Sequence, residues 1–258
     1  MTELVAYKSL IVLLFLVVLF FAERYAPAVA VPEQIVDTQR IKNNLLLWFC
    51  NSLFSPLIVL PVTMYAINYG VSWRSDWQGA WIGNWGSLLL DLLVLDLWIY
   101  WWHRANHRIS LLWRFHRVHH LDQWLDVTSS VRFHFGEVIL SALIRAVVIV
   151  CLGIPLVSVI IFETLVLMNA GFHHSNIRIP VRLEQTISKL IITPSIHWMH
   201  HHVVRQDTDS NYGVLFSFWD RLFGSQSKNK RSADMEIGLE HSKDMNLLKL
   251  MISPFKSR

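Results

Sequence analysis

The chain has little charge, few glycines and almost no cysteine. Of its 258 residues, 16% are charged, 10 are glycine and two are cysteine, Cys50 and Cys151. They form no C-x-x-C pair, which argues against a disulfide framework, an iron–sulfur cluster and a zinc ribbon. We also find no internal repeat, no Gly-rich phosphate-binding motif and no haem- or flavin-binding motif. Any redox chemistry is therefore expected to draw electrons from another protein.

Apolar residues are abundant and indicate a membrane protein. They make up 53% of the chain, which also contains 12 tryptophans. Four stretches are predicted to enter the bilayer: about Leu4–Ala22, Leu45–Tyr69, Trp85–Trp102 and Val138–Ala170. Lys8 interrupts the first stretch, near enough to its end for its amine to snorkel to the interface.

The fourth stretch is too long for one span. As a continuous helix it would reach roughly 50 Å, whereas a hydrocarbon core is about 30 Å thick. Gly153 and Pro155 divide it into Val138–Leu152 and Leu156–Ala170, which predicts a hairpin whose two ends return to the same side. The segments before and after the hairpin then share one membrane face.

These features predict an all-α fold, an integral membrane helical bundle of about four spans with a cytoplasmic helical cap. Residues 1–84 are expected to form N-terminal anchor spans, residues 85–224 the catalytic region and residues 225–258 a basic tail. We expect one integrated domain. We assign no function to the tail, where Lys228, Lys230 and Arg231 are typical of solvated surface.

The basic residues indicate the orientation. Of 23 Lys and Arg residues, only Lys8, Arg74 and Arg145 lie away from the face that carries the segments flanking the hairpin. The positive-inside rule makes that face cytoplasmic. The net charge of +4 then needs no nucleic-acid partner. The membrane is expected to be a bacterial inner membrane or the endoplasmic reticulum, which would give the same orientation.

Histidines are the most informative residues. Twelve of the 13 lie between His103 and His202. Eight form three clusters: His103 and His107; His116, His119 and His120; His197, His200 and His201. The later histidines of each cluster follow its first by three or four residues, so the imidazoles can lie on one helix face and converge on a metal ion. A catalytic zinc needs about three protein ligands. The number of clustered histidines therefore suggests two metal ions.

Further motifs accompany the clusters. They are Arg132-Phe133-His134-Phe135-Gly136-Glu137, Asn169-Ala-Gly-Phe-His173-His174-Ser-Asn176, Asn211-Tyr212-Gly213 and Phe218-Trp-Asp220-Arg-Leu-Phe-Gly224. Together they resemble the fatty acid hydroxylase and sterol desaturase superfamily, whose signature is three histidine boxes. Phe135 stands in place of a proline of the family pattern. The resemblance covers roughly Leu88 to Gly224.

The resemblance implies a non-haem di-iron monooxygenase that uses O2 as co-substrate to hydroxylate a lipid C–H bond. It adds His173 to the three boxes as a metal ligand. The implied ligands are His103, His107, His116, His119, His120, His173, His197, His200 and His201. Asn169 stands where some members carry another ligand, which would leave one metal with an open or water-filled position. His134 and His174 are undecided between ligation and a supporting role, and His202 is expected to be a bystander.

Carboxylates are expected near the ligands, because a metal-bound histidine usually donates its other ring N–H to an acidic or carbonyl group. The candidates are Asp96, Asp122, Asp126, Glu137 and Asp220. Asp207 and Asp209 are further candidates, but we expect them to be helix caps or surface charges.

Several alternatives stay open. Imidazole ligands suit zinc and copper as well as iron, and the same oxidant in a desaturase removes a second hydrogen. A non-enzymatic metal-handling or transport protein would need ligands along a transmembrane path, where the third stretch offers Asp91 and Asp96. The electron donor would be a cytochrome, a ferredoxin or a reductase. The basic residues Arg104, Arg108, Arg114 and Arg117 would either dock it or only enforce topology.

Overall fold

The computed structural model describes residues 2–32, 38–71 and 73–256, without the side chains of residues 2–6, 38 and 73–82. Within these ranges the protein is helical and forms no strand, which confirms the predicted all-α fold. The helices are α1 (Thr2–Tyr25), α2 (Thr38–Phe54), α3 (Leu60–Asn68), α4 (Trp73–Arg108), α5 (Ser110–His120), α6 (Phe135–Leu152), α7 (Leu156–His174), α8 (Val181–Ile187), α9 (Pro194–His200), α10 (Arg205–Thr208), α11 (Phe218–Leu222) and α12 (Leu247–Ile252).

Four segments among the described residues are long and apolar enough to cross a membrane. They are Gln39–Asn68, Gly83–Arg108, Phe135–Leu152 and Leu156–His174. The 24-residue helix α1 packs beside α7. Residues 33–37 of the predicted anchor region, residues 257–258 of the predicted tail and the Arg74 side chain lie outside the described part.

The segment Gln39–Asn68 contains a widened turn. Helices α2 and α3 are joined without a break by a π-helical turn at Ser55–Val59, which contains Pro56. Proline has no N–H to donate to the preceding turn, so a local change in hydrogen-bond register lets the helix continue. This turn forms part of the wall of the cavity described below.

The predicted hairpin is present. Gly153 ends α6 in the left-handed conformation (φ 57°), and a Cβ atom at that position would lie 2.3 Å from the carbonyl oxygen of Val71. Only glycine fits there without strain. Pro155 immediately precedes α7. The first arm begins at Phe135 and the second ends at His174, both beyond the predicted boundaries at Val138 and Ala170. Both ends of the hairpin therefore reach the histidine clusters.

Lys8 does not snorkel as the sequence predicted. Its amine pairs with Glu163 on α7, and Arg145 on α6 pairs with the same carboxylate at 2.9 Å. An opposite charge inside the bundle satisfies an ammonium group without a path to the interface. These ion pairs connect α1 to both arms of the hairpin.

The C-terminal segment, predicted as a basic tail, packs on the cap. Leu250 is fully buried against Leu47 of α2. Asp244 accepts two hydrogen bonds from the Arg132 guanidinium, one of them at 3.2 Å. The Arg231 guanidinium lies 3.6 Å over the ring of Trp198. The segment therefore helps to enclose the histidine-rich region.

Candidate metal centre

The clustered histidines converge into two groups. One comprises five residues: His103, His107, His116, His120 and His200. The other comprises four: His119, His174, His197 and His201. All nine are buried, and within each group one nitrogen of every residue lies within 4.8 Å of the others. Helices α4, α5, α7 and α9 bring them together, with His201 following the last residue of α9.

The ring nitrogens face one another at short distances. In the group of four, the Nε2 atom of His174 lies 3.1 Å from those of His119 and His197, and His197 Nε2 lies 3.1 Å from His201 Nε2. In the group of five, His116 and His120 bring their Nε2 atoms to 3.2 Å.

These distances suit shared coordination. A metal bound at about 2.1 Å to each nitrogen would place neighbouring ligand atoms roughly 3.0–3.4 Å apart. Other nitrogens have no hydrogen-bond partner although they are buried, including Nε2 of His103 and of His200. A buried polar atom without a partner is costly, and a metal ion at the centre of each group would satisfy these atoms. The residues therefore fit two metal ions.

The two groups adjoin. The ring of His120, from the first group, stacks on that of His201, from the second, with centroids 4.3 Å apart and planes at 21°. The ring of His200, from the first group, lies 5.2 Å from that of His197, from the second. Both ions would therefore lie in one centre.

The opposite ring nitrogens are held by carbonyl and carboxylate groups. The Nδ1 atoms of His103 and His200 donate to the carbonyls of Tyr212 (2.9 Å) and Ser210 (2.7 Å). His119 Nδ1 lies 3.2 Å from the carbonyl of Arg132. A proton fixed on Nδ1 leaves Nε2 as the free donor atom, and such partners fix the ring orientation at metal sites.

The environment also keeps these imidazoles neutral. Burial, and then the neighbouring imidazoles, hold the pKa values of His119, His120, His197 and His201 well below the usual range. Burial lowers the pKa of His200 to about 3. Neutral imidazole is the form that binds a metal, so the chain needs no proton release from these groups near neutral pH.

The predicted carboxylate Glu137 forms a hydrogen bond with a histidine of the groups. Glu137, near the start of α6, accepts a hydrogen bond from His116 Nδ1 at 2.8 Å and another from Asn106 at 3.2 Å. The Glu137 side chain is buried. It therefore orients His116 from the first turn of the hairpin.

Other predicted carboxylates act through the backbone. Asp220 accepts hydrogen bonds from the amides of Tyr212 (2.7 Å) and Gly213 (2.9 Å), which positions the carbonyl that orients His103. Asp96 accepts from the amides of Leu215 and Phe216.

Asp122 and Asp126 stabilise the cap at its junction with α2. Both accept hydrogen bonds from the Arg40 guanidinium, and Asp126 also caps the short 3-10 helix Val127–Val131. The pKa of Asp122 is lowered by the positive charges of Arg40 and Arg132, which outweigh the opposing effect of its burial.

Asp207 and Asp209 are closer to the centre than the sequence indicated. Asp207 is only 3% exposed and accepts a hydrogen bond from His202 Nδ1 at 2.9 Å. An Asp209 oxygen lies 3.4 Å from His107 Nδ1. Residue type does not predict exposure here, because Ser227 and Asn229 cover Asp207. Both donate hydrogen bonds to its carboxylate from positions 20 and 22 residues further along the chain.

His134 and His174, whose roles the sequence left undecided, have different surroundings in the structure. His134 uses both nitrogens elsewhere, accepting from the Gly136 amide and donating to the Met251 carbonyl, each at 3.0 Å. His174 lies in the group of four, whereas His173 lies beside it with its ring 4.0 Å from that of His197. The ligand role of His173 stays a prediction.

The side-chain amide of Asn169 contacts neighbouring groups of the protein. Its amide nitrogen donates to the Val214 carbonyl at 2.6 Å and lies 3.3 Å from His173 Nδ1. The amide therefore positions the neighbouring ring and the segment after α9.

A cavity of about 380 Å³ opens beside the two groups. Its walls are the two arms of the hairpin, the end of α4 and the π-helical turn. It runs past apolar side chains such as Trp102, Phe162 and Val166 and reaches Lys8, Arg145 and Glu163. This volume falls in the range of small-molecule sites.

Replacing Glu137 with alanine is expected to weaken metal binding by about 10- to 100-fold, because an orienting partner of His116 is lost. Glu137→Gln should weaken it less, since the amide oxygen can still accept the hydrogen bond. Competition with a fluorescent chelator would measure both effects. Glu240→Ala, at an exposed glutamate, is the control. Unchanged affinity in Glu137→Ala would contradict an orienting role.

The fold and the centre define a class: helical integral membrane proteins with adjoining groups of buried histidines that could hold metal ions. Residues 88–225 match the family model described as fatty acid hydroxylase, which covers more than half of the chain. The chain belongs to the fatty acid hydroxylase family. The resemblance stated from the motifs is thereby confirmed.

Individual relatives agree with this assignment. The chain is 26% identical to the ornithine lipid hydroxylase OlsE of Rhizobium tropici over 172 residues, 67% of this chain and 51% of that protein. It is 30% identical to human lathosterol oxidase over 62% of this chain and 50% of that protein. Identity to alkylglycerol monooxygenase of Xenopus tropicalis is 29%, over 53% and 29%. The matches thus span about half or less of these relatives. No solved structure matches.

Proposed function

We propose that the protein is a membrane-bound non-haem di-iron monooxygenase that hydroxylates a lipid C–H bond with O2 and external electrons. The observation that carries the proposal is the pair of adjoining histidine groups beside a largely apolar cavity between membrane helices. The relatives support it, because their names describe lipid hydroxylation and oxidation.

The chain's own residues would bind the metals, orient the histidine rings and enclose the lipid. Nine buried histidines would hold the metals, while Glu137 and backbone carbonyls fix ring orientation. When bound, two iron ions would supply the reductive activation of dioxygen. Burial of the histidines would limit the access of water to the centre, and the apolar walls would align a lipid chain so that one C–H bond faces the metals.

The electrons would enter through the exposed face of the cap. The half-buried ring of Trp113 lies 4.9 Å from that of His107 and 5.4 Å from that of His120. The Arg205 guanidinium covers Trp113 from the outside at 4.7 Å, and its side chain is 51% exposed. Arg108 and Arg114 are also exposed. A basic surface with an aromatic route inward suits an acidic ferredoxin or cytochrome.

Reconstitution tests the function. Protein purified anaerobically and loaded with ferrous iron is expected to show a coupled iron pair by Mössbauer spectroscopy. With native lipids, O2 and a reduced ferredoxin it should form a lipid one oxygen atom heavier. Chelation should abolish product formation, and iron but not zinc should restore it. A product lacking two hydrogens would establish desaturation instead, and a mononuclear site or no lipid product would refute the proposal.

We further propose that the centre faces the cytoplasm, on the basis of the Lys and Arg distribution. Gln123 and Gln185 are exposed on segments that flank the hairpin, and Tyr69 is exposed at the other end of the bundle. In a chain without Cys50 and Cys151, cysteines introduced at the two glutamines should be labelled only from the cytoplasmic side. A cysteine at Tyr69 should be labelled only from the other side, and the reverse pattern would invert the orientation.

A further inference from the structure

A charged triad lies in the wall of the cavity, within the membrane bundle. Lys8 of α1 and Arg145 of α6 both pair with Glu163 of α7. The side chains are 17%, 12% and 23% exposed, respectively. All three line the same cavity as the histidines. Ionisable groups are rare and costly inside spans, and they usually mark a functional path.

The triad has one positive charge in excess. Two cations share one carboxylate, and among the described residues no second carboxylate pairs with either cation. The Arg145 Nε atom is buried without a hydrogen-bond partner, although another guanidinium nitrogen lies 3.5 Å from the Thr63 hydroxyl. One cation would be enough to connect α7 to a neighbouring helix. The second cation and the unpaired Nε–H group of Arg145 can therefore bind a further anion.

The triad is separated from the metal centre along the hairpin. Ten residues separate Glu163 from His173, which corresponds to about 15 Å of helix. Eight residues separate Arg145 from Glu137, about 12 Å. Between these levels the cavity is lined mostly by apolar side chains. It therefore has a cationic end, an apolar middle and a metal-binding end.

We propose that the triad binds the carboxylate of a fatty acid and thereby determines which carbon lies beside the metals. An extended chain advances about 1.2 Å per bond, as an extended polypeptide backbone does. The spacing therefore places a carbon roughly a dozen bonds from the carboxylate at the centre. This inference rests on the proposed function for turnover, but the binding of the acid does not require metals.

A binding experiment on metal-free purified protein tests the site. Tritiated palmitate is bound in detergent and displaced by unlabelled palmitate, hexadecan-1-ol or hexadecyl phosphate. A charge-assisted hydrogen bond favours palmitate over the alcohol by at least about tenfold in Kd. Equal displacement by palmitate and the alcohol would overturn anion recognition. Stronger displacement by the phosphate would overturn the assignment to a carboxylate.

Substitutions within the triad separate recognition from helix anchoring. Arg145→Gln and Lys8→Gln are expected to lose the preference for the acid, and Arg145→Lys to retain most of it. Glu163→Gln should retain or strengthen it, because it removes the competing carboxylate. If the triad only anchors helices, Glu163→Gln should weaken binding as much as Arg145→Gln and lower the Tm equally. That result would overturn the proposal.

The position of oxidation gives a second readout. Myristate, palmitate and stearate should be oxidised at the same distance from the carboxylate, as measured by product mass spectrometry. Oxidation at a constant distance from the methyl end would overturn the proposed alignment. If palmitate binds with the expected preference but no acid is oxygenated, the proposed function fails while the anion site stands.

Discussion

Substituting alanine for His119 is expected to leave one metal ion per chain where the proposed function requires two, and to abolish turnover. His119 belongs to the group of four, with its Nε2 atom 3.1 Å from that of His174. Structural metal sites bind with about 10–16 kcal/mol, so one ligand of four contributes about 3 kcal/mol, more than a hundredfold in affinity. Metal analysis after dialysis against a chelator would measure the loss.

His202→Ala is the matched control. His202 follows His201 directly, yet it lies outside both groups and bonds to Asp207. This variant should retain both metals and insert into the membrane as well as His119→Ala does. Two bound metals and normal turnover in His119→Ala would show that the group of four is wrongly assigned.

Local patterns were enough to predict the scaffold. The hairpin follows from Gly153 and Pro155, because a left-handed glycine and a proline end one helix and begin the next through short-range sterics. The three clusters follow from helical periodicity. His103 and His107 lie four residues apart on α4, and their rings are 5.2 Å apart. Such features depend on neighbours in sequence.

Long-range contacts could not be predicted in the same way. The partner of Lys8 is Glu163, 155 positions away, and sequence reasoning gave Glu163 no role. The signal available was an acidic residue within an apolar stretch that also contains Arg145. The burial of Asp207 and the packing of Leu250 against α2 likewise depend on how distant segments meet.

The end of α7 is the clearest case in which the sequence did not predict the position of a side chain. His173 and His174 are adjacent, but consecutive helical residues point about 100° apart, so only one can face a given centre directly. Family position selected His173. The backbone path of α7 directs His174 toward His119 and His197 instead, which no local pattern reveals.

Replacing His174 with alanine is therefore expected to have a much larger effect on metal binding than replacing His173. His174 Nε2 lies 3.1 Å from two other histidine nitrogens, and its Nδ1 donates to the Ala170 carbonyl at 2.7 Å. Its loss removes one ligand from a group of four, so one metal should be lost after dialysis against a chelator. His173→Ala should retain both metals.

The two variants still differ in a second measurement. His173 lines the cavity, and its Nδ1 faces the Asn169 amide, so its removal should lower turnover by changing how the lipid lies beside the centre. His173→Ala is therefore expected to keep its metal spectrum but bind substrate less productively, whereas His174→Ala loses the spectrum itself. Loss of a metal in His173→Ala with full retention in His174→Ala would instead establish the ligand set that the family resemblance implies. The paired measurement thus determines which of two adjacent imidazoles binds the second metal ion.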